Sequence, residues 1–542
     1  MRSACRGRRT SDWVRRNRVR PNRTSTLTVV VALAAVFIAS ACAVGPDIGP
    51  GLVPAGTGGG DSPAPTSSSV QIPALETPRT DVRWSPCGAQ LSATYATTVP
   101  AGVTIECGRL DSPIDPDRPD TTVSIALTRA RLATTPADAA PLVLTSGSDM
   151  PSARALLLLA AGPGRTLLAQ HPVVSADRRG IPRSGPVDCL AADDRIAIAN
   201  NGLTTTTTST AARIGRLAEA AASAADSCAE TLSPNQLHFG ISAAASDLET
   251  LRKKWNVARL GLIGIGEGSD VVLAYTAGYG GRSGRIILDT PTPFGANARD
   301  SGAAKASGVQ AALHTFAQRC AAQAACPFGT NGEQVMARVL AKGRAQTLGG
   351  GLSDTAVLAA ITTGLALAPS TPTALTTLAG AITAADRGAT SALASYADTA
   401  VALRLSDGQI VAGCNDVTGP IGQNEISGLA DTWGKQNPLT GLNSALDLVR
   451  CNGWASIPPV NPPNSFPVPP LILNGAGDPI NGGTGADTLT ALFAKASTEP
   501  VRVEWDGLGY SVLARSSCAA DTVAAYIRSA PLAGPSERGC PA

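Results

Sequence analysis

The segment Leu260-Gly261-Leu262-Ile263-Gly264-Ile265-Gly266-Glu267-Gly268 constrains the fold more than any other part of the chain. Its first six residues are uniformly apolar and too few for a buried helix, so they read as a fully buried strand. A helical pattern starts almost at once, from about Ser269 to Ala277. The chain must therefore turn from strand to helix within about three residues, with backbone passing close to backbone. Glycine meets that demand because it has no Cβ and accepts positive φ. A buried strand feeding directly into a helix is the repeating unit of a mostly parallel sheet covered by helices on both faces.

The rest of the sequence repeats that unit. Strands are expected at Val123 to Arg129, Pro141 to Thr145, His171 to Ala176, Ile286 to Asp289, Leu471 to Asn474 and Val501 to Trp505. Helices are expected at Ala211 to Cys228, Ser242 to Lys254 and Thr522 to Arg528. Between residues 293 and 465 the pattern is alanine-rich and helical, broken by Gly and Pro, and reads as a cap inserted into the sheet. The expected organisation is a signal segment at 1–42 and a Gly/Pro/Ser-rich tether at 43–80. An α/β core follows at 81–292, then the helical cap at 293–465, and the end of the core at 466–542.

The N-terminus reads as an export signal. Nine arginines fall in the first 23 residues, Leu27 to Val44 is almost continuously apolar, and Ala39-Ser40-Ala41-Cys42 closes the run. Basic, apolar and small-residue regions in that order define a secretory signal. Cys42 after small residues resembles a bacterial lipobox, which would make it the lipidated first mature residue. An uncleaved membrane anchor and plain cleavage at Ala-Ser-Ala are the alternatives. Without its basic arm the chain is mildly acidic, which argues against a nucleic-acid partner.

Ten cysteines remain beyond Cys5 and Cys42: Cys87, Cys107, Cys189, Cys228, Cys320, Cys326, Cys414, Cys451, Cys518 and Cys540. An even number in an exported chain suggests disulfides, although spacing does not fix the pairing. There is no CxxC, and the three histidines are scattered, so no metal site is expected. Nothing in the sequence calls for a cofactor.

The order and spacing of several short motifs are specific. They include Trp84-Ser85-Pro86-Cys87, Leu110-Asp111-Ser112-Pro113-Ile114-Asp115, Asp177-Arg178-Arg179-Gly180, Arg285 to Asp289, Cys320 with Cys326-Pro327, and Gly475 to Pro479. In this the chain resembles the secreted tripeptidyl aminopeptidase-like α/β-hydrolases of actinobacteria, which carry a TAP-like C-terminal domain. The resemblance runs from about Trp84 to Cys540. It implies an α/β-hydrolase fold, with Gly264 to Gly268 as the nucleophile elbow. It also implies disulfides Cys87–Cys107, Cys189–Cys228, Cys320–Cys326, Cys414–Cys451 and Cys518–Cys540.

Carried over residue by residue, the family's serine falls on Gly266, its acid on Asp478 and its histidine on Tyr510. A glycine has nothing with which to attack. A tyrosine with a pKa of about 10 does not serve as a general base near neutral pH. The family's glycine-rich oxyanion loop is replaced by Ser146-Gly147-Ser148-Asp149-Met150-Pro151, and Gly162-Pro163-Gly164 further on reads as a turn. An aspartate at Asp149 would repel the charge that develops on an oxyanion. Glu267 and Ser269 read as structural residues at the start of the helix. Asp478 reads as a strand-end cap, and Arg178 and Arg179 as scaffold or pocket rim.

These departures point to an exported cell-envelope protein that keeps the hydrolase fold without acyl transfer. It would use the old cleft for a peptide, a lipid or an envelope protein, and be tied to the membrane through its N-terminus. The alternatives are an active peptidase or esterase with a rearranged site, and a structural protein with the cleft filled.

Overall fold

The computed structural model describes residues 73–542 except 208, 369, 370 and 420. The export segment, Cys42 and most of the tether lie outside the described residues.

The described chain is organised around one ten-stranded sheet. Its strands are β1 (Ser85–Pro86), β2 (Val103–Asp115), β3 (Arg118–Leu132), β4 (Leu142–Thr145), β5 (Val173–Ala176), β6 (Leu260–Ile265), β7 (Ser283–Asp289), β8 (Leu471–Gly477), β9 (Val501–Leu508) and β10 (Glu537–Cys540). They lie in the order β1-β2-β3-β5-β4-β6-β7-β8-β9-β10. β1, β2, β3 and β5 pair antiparallel in turn, and every pair from β5 through β4 to β10 is parallel.

Alternating side chains of the central strands feed two cores, as the strand period of two requires. Leu142 and Leu144 of β4, Ile263 and Ile265 of β6, and Leu471 and Leu473 of β8 join one core with the helices Ser152–Ala161 and Ser517–Ser529. Val143, Leu262, Leu288 and Ile472 join the other with the helices Ile241–Trp255 and Gly268–Tyr279. The sheet is thus sandwiched between helical layers, and its parallel strands are apolar on both faces.

Between Asp289 and Leu471 the chain leaves the sheet and forms eight α-helices among the described residues, from Ala298–Ala321 to Gly441–Asp447. A second segment packs with them. The helices Ala192–Ala199 and Thr210–Leu232, read from sequence as part of the first core segment, put Ile198, Ile214 and Leu217 into one apolar cluster with Val411, Ile426 and Leu446. Buried Arg213 bonds Asp354 across the same contact at 2.9 Å. The apolar stripe of Thr210–Leu232 is what commits this segment to the helical block.

Three further details differ from expectation. Residues 73–80, read as the end of the tether, lie along the core: the Arg79 amide donates to Trp255 O, and Arg285 donates to Pro73 O. The apolar run before Gly162 is the helix Ser152–Ala161, and Pro163–Ala169 is a 3-10 segment, so Gly162-Pro163-Gly164 joins two helical elements. The edge strands β1 and β10, and β2 beside β1, carry polar sequences that the apolar pattern does not reveal.

The five disulfides are Cys87–Cys107, Cys189–Cys228, Cys320–Cys326, Cys414–Cys451 and Cys518–Cys540. They pair as the family resemblance implies and fit an oxidising compartment. Among the described residues, no helix is long and apolar enough to cross a membrane.

Candidate active site

The elbow keeps its backbone. β6 ends at Ile265, Gly266 takes a φ of +55°, and the helix Gly268–Tyr279 starts two residues later. Its flanking glycines are required by packing. A Cβ on Gly264 would lie 2.6 Å from Gly268 O, and one on Gly268 would overlap Thr145 O. Thr290, just past β7, has a φ of +48° and Ser511, next to Tyr510, a φ of +67°. For a threonine that conformation is strained, and such strain persists only where the surroundings impose it.

The space above Gly266 is occupied. A Cβ built there would overlap both Asp149 Oδ2 and Asn481 Nδ2. The carboxylate of Asp149 therefore stands where a nucleophile on residue 266 would project. Its Oδ2 accepts from Asn481 Nδ2 at 2.8 Å, from the Tyr510 hydroxyl at 3.0 Å and from the Glu267 amide at 3.2 Å. Asp149 and Tyr510 are both buried. Burial and the neighbouring charge of Glu267 push Asp149 up to about 8, against the hydrogen bond from Asn481. Burial raises the Tyr510 phenol well above its ordinary value, and the charge of Asp149 adds to this.

The oxyanion donors are also engaged. In this fold they are the amide after the nucleophile and an amide from the loop after the strand here called β4. The Glu267 amide donates to Asp149, and the Ser148 amide donates to Glu267 Oε2 at 3.2 Å. The loop is fixed further by Arg178, which donates to Ser148 Oγ at 2.8 Å, and by Gln409, whose Nε2 donates to Ser148 O at 2.7 Å. Both donors therefore face the protein's own carboxylates, where an acyl-transfer site needs them free for developing negative charge.

Asp478 makes no hydrogen bond to Tyr510. Its Oδ1 accepts the amides of Ile480 at 2.7 Å and Asn481 at 3.3 Å, and its buried Oδ2 has no partner. Burial pushes it up to about 6, opposed by those two amides. Asp289, at the end of β7, holds the Tyr510 loop: it accepts from Ser511 Oγ at 2.6 Å and from the amides of Val512 and Leu513. Burial pushes it up to about 7.

The remaining sequence-selected residues lie elsewhere or face inward. Ser269 Oγ donates back to Gly264 O at 3.0 Å, away from the elbow tip. His171 Nδ1 lies 2.8 Å from Ala140 O, His238 pairs loosely with Asp115, and His314 contacts Glu333. Arg179 is buried scaffold, bonded to Asp247 and to the carbonyls of Pro113, Ile114 and His238. Arg178 pairs with Asp416 and lines a cavity of about 300 Å³ beside the elbow, together with Glu267, Asp270, Lys305 and Asn481. Asn481 was not singled out from the sequence. It lies three residues past Asp478 in a turn, and only the fold brings it to Asp149.

The sheet order, the elbow and the inserted helices define an α/β-hydrolase-fold protein. Residues 437–537 match the family model described as TAP-like protein. Serine protease Hip1 of Mycobacterium tuberculosis, and that of Mycobacterium bovis, is 28% identical over 262 residues, 46% of this chain and 47% of the relative. The chain thus spans about half the length of the curated relatives it matches. Two solved structures overlap at low similarity. The proline iminopeptidase-related protein of Thermus thermophilus is 14% identical over 73% of this chain and 89% of its own, with a TM-score of 0.30. Esterase E22 is 13% identical over 75% and 94%, with a TM-score of 0.31. Within its fold class the chain is related to the TAP-like and Hip1-type α/β-hydrolases.

Proposed function

We propose that this is an exported, non-catalytic member of its fold class that uses the cleft between elbow and helical block to hold a peptide, a lipid or an envelope protein. The observation that carries the reading is the double role of Asp149. Its carboxylate fills the nucleophile space above Gly266 and takes up the Glu267 amide. Loss of nucleophile and base costs serine hydrolases about a millionfold in rate. Here the Asp149 carboxyl also takes up the Glu267 amide, so that donor is not free to supply the residual catalysis an oxyanion hole would give. Incubating the purified chain with peptide and ester substrates tests the reading. The expected result is hydrolysis no faster than with a heat-denatured control, and sustained turnover would overturn it. A second reading, an active peptidase or esterase with a rearranged site, draws on the name of its relative, a serine protease.

The anchoring proposal concerns Cys42. Mass analysis of the N-terminal peptide should find a diacylglyceryl cysteine there. A peptide starting at another residue, or an unmodified Cys42, would remove the lipid anchor from the account.

A further inference from the structure

A second cavity, of about 290 Å³, opens inside the helical block beyond the elbow cleft. Lys305, Ser444 and Asp447 line both, so the two adjoin. The walls of the second are mainly apolar: Val309, Leu358, Ala359, Ala397, Ala400 and Ile480. Its rim carries Val401, which is 52% exposed. Ile196, 61% exposed, lies one helical turn before the lining residue Ala199. These are the two large apolar side chains that stand out into solvent among the described residues.

The charges on the wall are unbalanced. Lys305, Arg404 and Arg450 face one carboxylate, Asp447, which Arg450 already pairs at 3.0 Å. Among the described residues, neither Lys305 nor Arg404 has an ion-pair partner. Arg404 reaches Thr363 Oγ1 only at 3.4 Å, and its Nε is buried with no acceptor. A guanidinium is poorly accommodated without an acceptor, and its planar fork matches a carboxylate. The buried carboxyls of Asp149 and Asp478 feel the charge of Arg404 but do not bond it. Pro479 and Ile480, which line the cavity, belong to the turn that carries Asp478 and Asn481.

Within the ligand-holding reading, on which this rests, we propose that the cavity binds a single-chain amphiphile with an anionic head, a fatty carboxylate. The chain lies along the alanine and leucine wall, and the head sits between Arg404 and Lys305. Two cations without an ion-pair partner among the described residues, beside an apolar wall, favour that occupant over an uncharged or cationic one of equal length.

Calorimetric titration of the full chain with decanoate, decanol and decyltrimethylammonium tests this. Decanoate should bind saturably at one site, decanol about tenfold or more weakly, and the ammonium compound not at all. Lengthening the chain from octanoate to decanoate should tighten binding by about fourfold per methylene. Lys305→Gln and Arg404→Gln should each weaken decanoate about tenfold without changing decanol. Ala359→Phe should block both ligands. Because Lys305 carries no structural ion pair, its variant guards against misfolding as an explanation, and thermal melts check each protein. No saturable decanoate binding, equal binding of decanoate and decanol, or an unchanged affinity in Lys305→Gln would overturn the proposal. Those failures would leave the non-catalytic reading standing, whereas substrate turnover would overturn that reading without bearing on decanoate.

Discussion

Putting a serine back at position 266 should harm this protein. The new side chain must project from a residue with a φ of +55°, into space held by Asp149 Oδ2 and Asn481 Nδ2. The left-handed backbone alone costs a non-glycine residue ~1–2 kcal/mol. Displacing Asp149 strips the acceptor from the Tyr510 hydroxyl and the Asn481 amide, at ~1–3 kcal/mol for each buried donor left unpaired. Gly266→Ser should therefore lower stability by roughly 5 kcal/mol from these terms together. The assay is urea denaturation of the disulfide-intact chain, run as a cycle of wild type, Gly266→Ser, Asp149→Ala and the double variant. Removing Asp149 clears the closer of the two overlaps, frees the Asn481 side chain from its acceptor so that it can turn aside, and leaves the new hydroxyl to accept from Asn481 or Tyr510. The double variant should thus be more stable than the sum of the singles implies, by at least ~2 kcal/mol of coupling. A Gly266→Ser protein within ~1 kcal/mol of wild type, or a cycle additive within ~0.5 kcal/mol, would refute the steric account. The same geometry predicts that Gly266→Ser with Tyr510→His does not by itself rebuild a triad, because Asp149 still stands above residue 266.

Asp478→Asn tests the buried acid. The folded carboxyl stands at about 6, above its ordinary value near 3.9. The folded state therefore keeps a proton that the unfolded chain releases, and the stability this gives is present below about pH 4 and lost as pH rises through 6. Wild type should lose about 2 kcal/mol between pH 4 and 7.5 from this group, and the asparagine variant should lack that component, as read from denaturation at both pH values. An identical pH slope in the two proteins would count against the assignment. Asp354→Ala should cost ~3–5 kcal/mol in a urea melt, because it leaves the buried Arg213 guanidinium without its 2.9 Å partner. Replacing Cys189 and Cys228 with serine opens a loop with a sequence separation of 39, and should lower stability by ~3–4 kcal/mol in the same assay.

What could be read from the sequence was local. The strand-to-helix turn at Gly264 to Gly268 is visible because its requirement, small residues at close approach, is met by sequence neighbours. The central strands are visible because burial on both faces makes them uniformly apolar. β2 stayed hidden because about half of its residues are polar, as in Arg109-Leu110-Asp111, in the antiparallel part of the sheet. The helix Ser152–Ala161 gives no amphipathic signal because Ser152 to Ala160 are all buried. The site was half legible. Gly266, Tyr510 and an unwelcome Asp149 could be placed from motif positions. Their convergence could not, since Asp149 meets Asn481 and Tyr510 across 332 and 361 residues of sequence. Arg404 left no signal either, because only the folded cap shows that among the described residues no carboxylate pairs with it.

The central claim is that the elbow no longer performs acyl transfer because the protein's own carboxylates occupy the places of nucleophile and oxyanion. Intact-mass measurement after exposure to a fluorophosphonate probe tests it most directly, since such a probe reports an activated serine without requiring the true substrate. The account predicts an unshifted mass after prolonged exposure, with an active serine hydrolase in the same tube fully labelled. A single adduct mapped to Ser269, Ser148 or any other serine beside the cleft would contradict it.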